Sequence, residues 1–444
     1  MDIVLSFAIA TYNRKEVTVR LVENLLSICR EDIEVVVVDD CSTDGTVERL
    51  KKIKDKRLRI FEHKDNINGK ATWFDAYEYS KGEWIFYIND RDWVNIELVP
   101  RLIEDLKELE NKNVGFAVAG ERWELSPSRD YILYNEGRDT ILEFGMRDQH
   151  PTGQIFRKCC WEQINNRRAY FVDEQYGIFP HGYIEAIIGN HYKGAYILYD
   201  ICDKYHYAER LNTISASGIY RKSRGEEYFW PSKRYEILEL LVRNIQLVND
   251  RSIWNELVFS GYRRAFRLAT VAFVYASKDE ILKRRYCYPE ISVTDQEVLE
   301  NGMEFVIRFR RFLEDKQFDW IDNNFFFELE KIEIELIQNL IFWLDMRKAA
   351  NSTPLFDRYI IFGAGIQGKE ALHEVGSDCV LCLCDNSASM WGQKIGNKEV
   401  LSFAEAKERY GQVATFLITP VKSEISTSIA RQLYNEAVSF RFWR

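Results

Sequence analysis

The run Ile33-Glu34-Val35-Val36-Val37-Val38 sets one charge among five β-branched residues and stops on Asp39-Asp40. A stretch that is apolar on both faces, with that side-chain chemistry, predicts a strand covered by helices above and below, as in a parallel sheet. Residues 3–10 read as a strand before it, and Thr11-Tyr12-Asn13-Arg14 turns the chain into a helix. The apolar positions of that helix, Val19, Leu21, Val22, Leu25 and Leu26, follow a helical period. Asp39-Asp40-Cys41-Ser42-Thr43-Asp44-Gly45-Thr46 opens a second helix that ends in Arg49-Leu50-Lys51-Lys52, where cations suit the negative end of the helix dipole. A strand at Arg59-Ile60-Phe61, a loop from Asn66 to Gly69, a helix from Lys70 to Ser80 and a strand at Trp84-Ile85-Phe86-Tyr87-Ile88 continue the alternation. Strand and helix at this spacing mean parallel pairing through right-handed crossovers.

In such sheets ligands bind beyond the carboxyl ends of the strands. The polar stretches at Thr11, at Asp39 and at Asp90-Arg91-Asp92 all fall there, which implies one pocket. Asp90 and Asp92, one residue apart at a strand end, are expected to point the same way and hold one hard cation, with a diphosphate beside it. Arg91, pointing the other way, either braces the two carboxylates or reaches the diphosphate. Turn and cap chemistry is the plainer explanation of Asp39, Asp40, Ser42, Thr43 and Asp44. A cap, however, needs one acceptor, and this edge gathers several with a second acidic pair next to them.

At 444 residues the chain exceeds one hydrophobic core, so two or three domains are expected. A net charge of -9 argues against a general nucleic-acid binder, because phosphate neutralisation needs a basic face. No apolar stretch reaches the roughly 18 residues that span a bilayer, and Met1 to Ser6 lack the basic start of a signal peptide, so a cytoplasmic chain is expected. Nine cysteines fit that compartment; Cys379, Cys382 and Cys384 read as core thiols of a buried strand.

From about 206 to 350 long helical patterns replace the alternation: Tyr235 to Val248, Trp254 to Ala276, Thr294 to Asp315 and Phe325 to Lys348. Asn351-Ser352-Thr353-Pro354 reads as a linker, and residues 351–444 as a small α/β domain. There Gly363-Ala364-Gly365-Ile366-Gln367-Gly368 follows a strand and opens a helix, the context of a dinucleotide turn, with Asp385 at the end of the next strand placed for a ribose hydroxyl. This module resembles small Rossmann-like units of bacterial sugar-modifying enzymes. It would either bind a nucleotide or nucleotide sugar through Gly363, Gly365, Gly368 and Asp385, or serve as a packing or homo-oligomer module.

Ala10-Thr11-Tyr12-Asn13-Arg14, the stretch from Val38 to Thr46, Asn66-Ile67-Asn68-Gly69-Lys70 and Asn89-Asp90-Arg91-Asp92 stand in an order that resembles the catalytic domain of glycosyltransferase family 2. The resemblance covers residues 1–205 and implies the α/β GT-A fold, a Rossmann-like mixed sheet with helices on both faces. It implies inverting transfer of a sugar from a nucleotide diphosphate donor, with Mn2+ or Mg2+, in bacterial surface-glycan assembly. The acceptor would be a glycan, a lipid-linked sugar or a protein, and any membrane contact peripheral, at the inner face. Thr11, Tyr12, Asn13, Asp39, Gly69, Lys70 and Arg91 would line the donor. Tyr12 would lie against the base, and Asp40 would accept its imide hydrogen, which favours a UDP-sugar. Asp90 and Asp92 would hold the metal, Asp92 acting also in catalysis.

An inverting displacement needs a general base opposite the leaving group. The resemblance puts an acid at the start of a late helix, where this chain has Phe179-Pro180-His181-Gly182-Tyr183-Ile184-Glu185. The carboxylate is missing near His181. His181 is then the expected base, with Glu185 one turn on to orient or replace it. Asp173 and Glu174 stand in reserve, His150 lies on an acceptor-side loop, and His206 is an extra metal ligand or an ordinary residue. Tyr220-Arg221-Lys222-Ser223-Arg224 would close over the diphosphate as a basic flap. The competing reading is a sugar-nucleotide-binding or scaffold protein with an impaired transferase site.

Overall fold

A computed structural model describes residues 2–119, 130–147, 150–203, 230–278, 293–316, 318–420 and 423–443. Strands β1 (Leu5–Thr11), β2 (Ile33–Asp39), β3 (Leu58–Glu62) and β4 (Trp84–Tyr87) alternate with helices α1 (Lys15–Leu26), α2 (Thr46–Leu50) and α3 (Gly69–Tyr79). Then come β5 (Trp93–Val94), α4 (Val99–Asn111), β6 (Val114–Ala119), β7 (Tyr131–Tyr134), α5 (Arg138–Phe144), β8 (Gln154–Arg157), α6 (Lys158–Glu162), α7 (Arg167–Val172), α8 (Pro180–Gly189), β9 (Lys193–Ile197) and β10 (Cys202–Asp203). Among the described residues eight of these ten strands build a sheet in the order β3-β2-β1-β4-β8-β6-β9-β7, and β5 pairs with β10. The first four strands are parallel, and β8 pairs antiparallel with both β4 and β6.

Alternation along β1 and β2 feeds two cores. Phe7, Ile9, Val35 and Val37 meet Leu21, Val22 and Leu25 of α1 and Leu102 and Leu106 of α4 on one face. On the other, Ala8, Ala10, Val36 and Val38 meet Phe74 and Tyr77 of α3, with Trp161 and Phe171 behind them. The small side chains of Ala8 and Ala10 leave room for those rings. The one charge in the β2 run is paired: Glu34 accepts from Ser6 Oγ at 2.6 Å and from Arg59 Nη1 at 2.9 Å.

The chain divides into two compact units, one of Met1–Lys222 with Ile237–Gly261, the other of Ser223–Glu236 with Tyr262–Arg444. The helical stretch expected over 206–350 is thus shared between them. Its helices are α9 (Pro231–Arg243), α10 (Trp254–Ala269), α11 (Val271–Lys278), α12 (Asp295–Lys316) and α13 (Asn323–Ser352). The single helix expected from Trp254 to Ala276 is interrupted at Thr270, whose Oγ1 donates back to Phe266 O at 2.8 Å.

Helix α13 runs through Asn351 and Ser352, which the sequence presents as a linker. Met346 and Ala350 enter the core of the small sheet, and Arg441 Nη2 donates to Thr353 O at 2.8 Å, so these residues are packed rather than slack. That sheet joins β11 (Tyr359–Phe362), β12 (Val380–Cys384), β13 (Lys394–Ile395), β14 (Lys398–Leu401), β15 (Thr415–Ile418) and β16 (Phe440–Phe442) in the order β13-β14-β12-β11-β15-β16. Helices α14 (Ile366–Val375), α15 (Phe403–Tyr410) and α16 (Ser423–Asn435) connect them. Cys382 and Cys384 are buried in β12, whereas Cys379, just before it, is exposed. Among the described residues no helix is long and apolar enough to cross a membrane.

Candidate functional site

At the carboxyl edge of β1, β2 and β4, Asp40, Asp90 and Asp92 are each at most 2% exposed. Strand β4 ends at Tyr87, and Asp92 N donates to Asn89 O at 2.9 Å, so Asp90 and Arg91 occupy a turn. Strand alternation therefore does not align the two carboxylates; their partners do. Asp90 Oδ2 accepts from Thr11 Oγ1 at 2.9 Å and Oδ1 from Arg14 Nη1 at 2.6 Å. Asp92 Oδ2 accepts from Thr152 Oγ1 at 2.5 Å and from Asn89 Nδ2 at 3.2 Å, and His150 Nε2 lies 3.7 Å away. Thr152 reaches the edge because Gly153 passes close to β6. With φ +98°, a Cβ there would come within 2.2 Å of Ala119 O.

Two loops are stitched together alongside. Asn13 N donates to Ser42 Oγ at 2.8 Å, Thr43 N to Asn13 Oδ1 at 2.7 Å, and Lys15 N to Asp44 Oδ2 at 3.0 Å. Tyr12 is half-buried between them. Asp39 Oδ2 caps Ser42 N at 2.7 Å, and burial pushes its carboxyl above the usual range. Asp40 Oδ1 accepts from Ile67 N at 2.8 Å, in the loop before Gly69 and Lys70. Lys70 Nζ donates to Gly177 O at 2.6 Å, tying the start of α3 to the turn that carries Asp173 and Glu174. Both of those acids are exposed.

His181 does not face this edge openly. It is 1% exposed, among the rings of Trp73, Tyr77, Tyr87 and Phe171 at centroid distances of 5.6 to 6.0 Å. Burial lowers its pKa to about 3, so the imidazole is neutral and only weakly basic at neutral pH. Glu185 is fully buried one turn on, and burial first, then the Glu185 charge, raise the pKa of Tyr77 well above its ordinary value. The helical period identifies which residues share a face but not that this face turns inward.

In the second unit, Gly363 adopts φ +110°, and a Cβ on Gly368 would come within 1.9 Å of Gly363 O. Both oxygens of Asp385 accept main-chain hydrogens at 2.8 Å, from Ala364 N and Ser387 N, so this carboxylate braces the glycine turn. His206 and Tyr220 to Arg224 lie outside the described residues.

Among the described residues no three of His, Cys, Asp and Glu form a metal cage. Asp92 with His150 beside it fits a cation whose remaining ligands come from a diphosphate and water. Asp90 fits less well, because a guanidinium already stands against it. Thr152, Asn89 and Arg14 fix the carboxylates; Arg14 and Asn89 lie within signature stretches without being singled out there, and Thr152 lies outside all of them.

Residues 6–169 match the family described as glycosyl transferase family 2. The chain is similar to the succinoglycan biosynthesis protein ExoO of Rhizobium meliloti, 32% identical over 22% of this chain and 28% of that protein. It is also similar to the UDP-Glc:alpha-D-GlcNAc-diphosphoundecaprenol beta-1,3-glucosyltransferase WfaP of Escherichia coli, 32% identical over 21% of this chain and 38% of that one. The matched segments thus span well under half the length of these relatives. Among solved structures, S. aureus TarS 1-349 aligns with a TM-score of 0.47 at 13% identity, covering 80% of this chain and 94% of that one.

Proposed function

With residues 6–169 forming a glycosyltransferase family 2 domain, we propose that the chain is an inverting glycosyltransferase that uses a UDP-sugar and a divalent metal. Its acceptor in this reading is a glycan, a lipid-linked sugar or a protein of bacterial surface-glycan assembly, met at the inner face of the membrane. The observation that carries it is the convergence of three buried carboxylates, Asp40, Asp90 and Asp92, on one sheet edge, each with fixed partners. A relative named for transfer from UDP-Glc favours the uridine donor.

In this reading Tyr12 lies against the base and Asp40 accepts its imide hydrogen. Arg14 holds Asp90 in place toward the ribose. Asp92, with His150, would hold Mn2+ or Mg2+, which when bound supplies positive charge for the departing diphosphate. The buried, weakly basic His181 is unsuited to take the acceptor proton, and it packs among aromatic rings instead. We assign that proton to the exposed turn at Asp173 and Glu174, with Glu174 first, because Asp173 already caps Gln175 N at 3.1 Å.

The test is nucleoside diphosphate release from a panel of sugar nucleotides with Mn2+ and candidate acceptors. Wild type is expected to release UDP, Asp92→Ala to lose about two orders of magnitude or more, and Glu174→Gln to lose about 10²–10⁴ in kcat with little change in donor KM. No release from any donor would overturn the reading. The inward-facing His181, where an acid is expected, favours the second reading, a sugar-nucleotide-binding protein. Calorimetric UDP-sugar binding without turnover would establish that one.

A further inference from the structure

The residue that fixes Asp40 directly follows β3 and is absent from every signature stretch of the sequence. His63 N extends the β2–β3 ladder by donating to Asp39 O at 3.0 Å, which sets its imidazole beside Asp40. Nδ1 lies 3.3 Å from Asp40 Oδ1, and Nε2 lies 3.0 Å from Oδ2 of Asp75, as an ion-pair contact rather than a well-directed hydrogen bond. Asp75 sits on α3 and is 6% exposed; its Oδ1 accepts from Arg168 Nη1 of α7 at 2.8 Å. Four side chains thus form a row from the ends of β2 and β3 through α3 to α7: Asp40, His63, Asp75, Arg168.

The row governs which oxygen of Asp40 is available. Oδ1 is taken by Ile67 N at 2.8 Å and by His63, while among the described residues Oδ2 accepts no hydrogen bond. A carboxylate held at one oxygen from two directions cannot swing, so its second oxygen has a set direction. We propose that His63 is a positioning residue for the donor base: braced by Asp75 and Arg168, it locks Asp40 so that Oδ2 meets the imide hydrogen of a uracil or thymine ring. This rests on the donor-binding reading above and deepens it. It predicts an effect of Asp75 on base recognition although Asp75 does not itself contact Asp40.

Binding of UDP, and of CDP as the base control, is measured by titration calorimetry for wild type, Asp40→Asn, His63→Leu, Asp75→Asn, His63→Leu/Asp75→Asn and Arg168→Ala. Thermal unfolding of each variant checks that it is folded. Arg168, half-exposed at its side chain, is the variant least able to disturb the fold.

His63→Leu and Asp75→Asn are each expected to weaken UDP about 5- to 20-fold, the pair together no more than either alone, since they act through one contact. Arg168→Ala should weaken it about 2- to 3-fold, and CDP binding should be unchanged throughout. In turnover, donor KM should rise while kcat stays within about 2-fold, a split that general loosening of the fold would not produce. If Asp40→Asn weakens UDP while the His63, Asp75 and Arg168 variants bind it like wild type, the positioning role is wrong and the donor reading stands. If wild type binds no uridine nucleotide at all, the donor reading itself fails.

Discussion

The pair formed by Arg14 and Asp90 gives a sharp test of how this edge is held. Nη1 stands 2.6 Å from Oδ1, with the side chains 14% and 1% exposed. Charge centres about 4 Å apart at an effective dielectric near 20 attract by about 4 kcal/mol, and deleting one member of a buried pair costs about 3–5 kcal/mol. Arg14 keeps some contact with water, which screens the pair, so Arg14→Met should cost about 2–3 kcal/mol. Thr11 Oγ1 still donates to Oδ2 in that variant and limits the loss. In differential scanning calorimetry, the transition of the first unit should fall by about 4–12 °C. Arg14→Met/Asp90→Asn removes both charges and should cost at least about 1 kcal/mol less than the sum of its parts. Additivity within about 0.5 kcal/mol would mean that the two groups merely lie near each other, and the reasoning would be refuted.

Two further outcomes follow from burial and close approach. His181 has a folded pKa of about 3 against an ordinary 6.5, so the unfolded chain binds a proton that the native one does not. Stability is therefore lost as pH falls from 6.5 toward 3, and His181→Leu should flatten the denaturant-derived stability curve there by about one proton; an unchanged slope would contradict the burial. In the second unit, Gly368→Ala should cost about 3 kcal/mol through its clash with Gly363 O, whereas Gly365→Ala, with open space and an ordinary φ of -74°, should leave the calorimetric midpoint within about 1 °C.

The strands and the acidic edge were legible because their signals are local. The valines of β2 are buried on both faces, and the polar stretches fall directly where strands end. What the sequence did not reveal is carried by contacts between distant segments: Thr11 with Asp90, Thr152 with Asp92, His63 with Asp75. Residue spacing says nothing about such pairs until the sheet order is known. The linker expected at Asn351 failed for a related reason. Asn, Ser, Thr and Pro in a row favour a turn locally, yet α13 continues to Ser352 because its last turns are buried against the small sheet. His181 shows the opposite failure, a polar residue whose chemistry suggests an open site but whose ring fills a gap among aromatics.

The burial of Met346 and Ala350 in the small sheet's core bears on how this protein can be cut and recombined. A graft made at the apparent seam near Ser352 would carry an open hole into its new host and leave two apolar residues stranded on the donor. The last turns of α13 and the six strands beyond them are one transferable cassette, and a workable splice falls upstream of Met346.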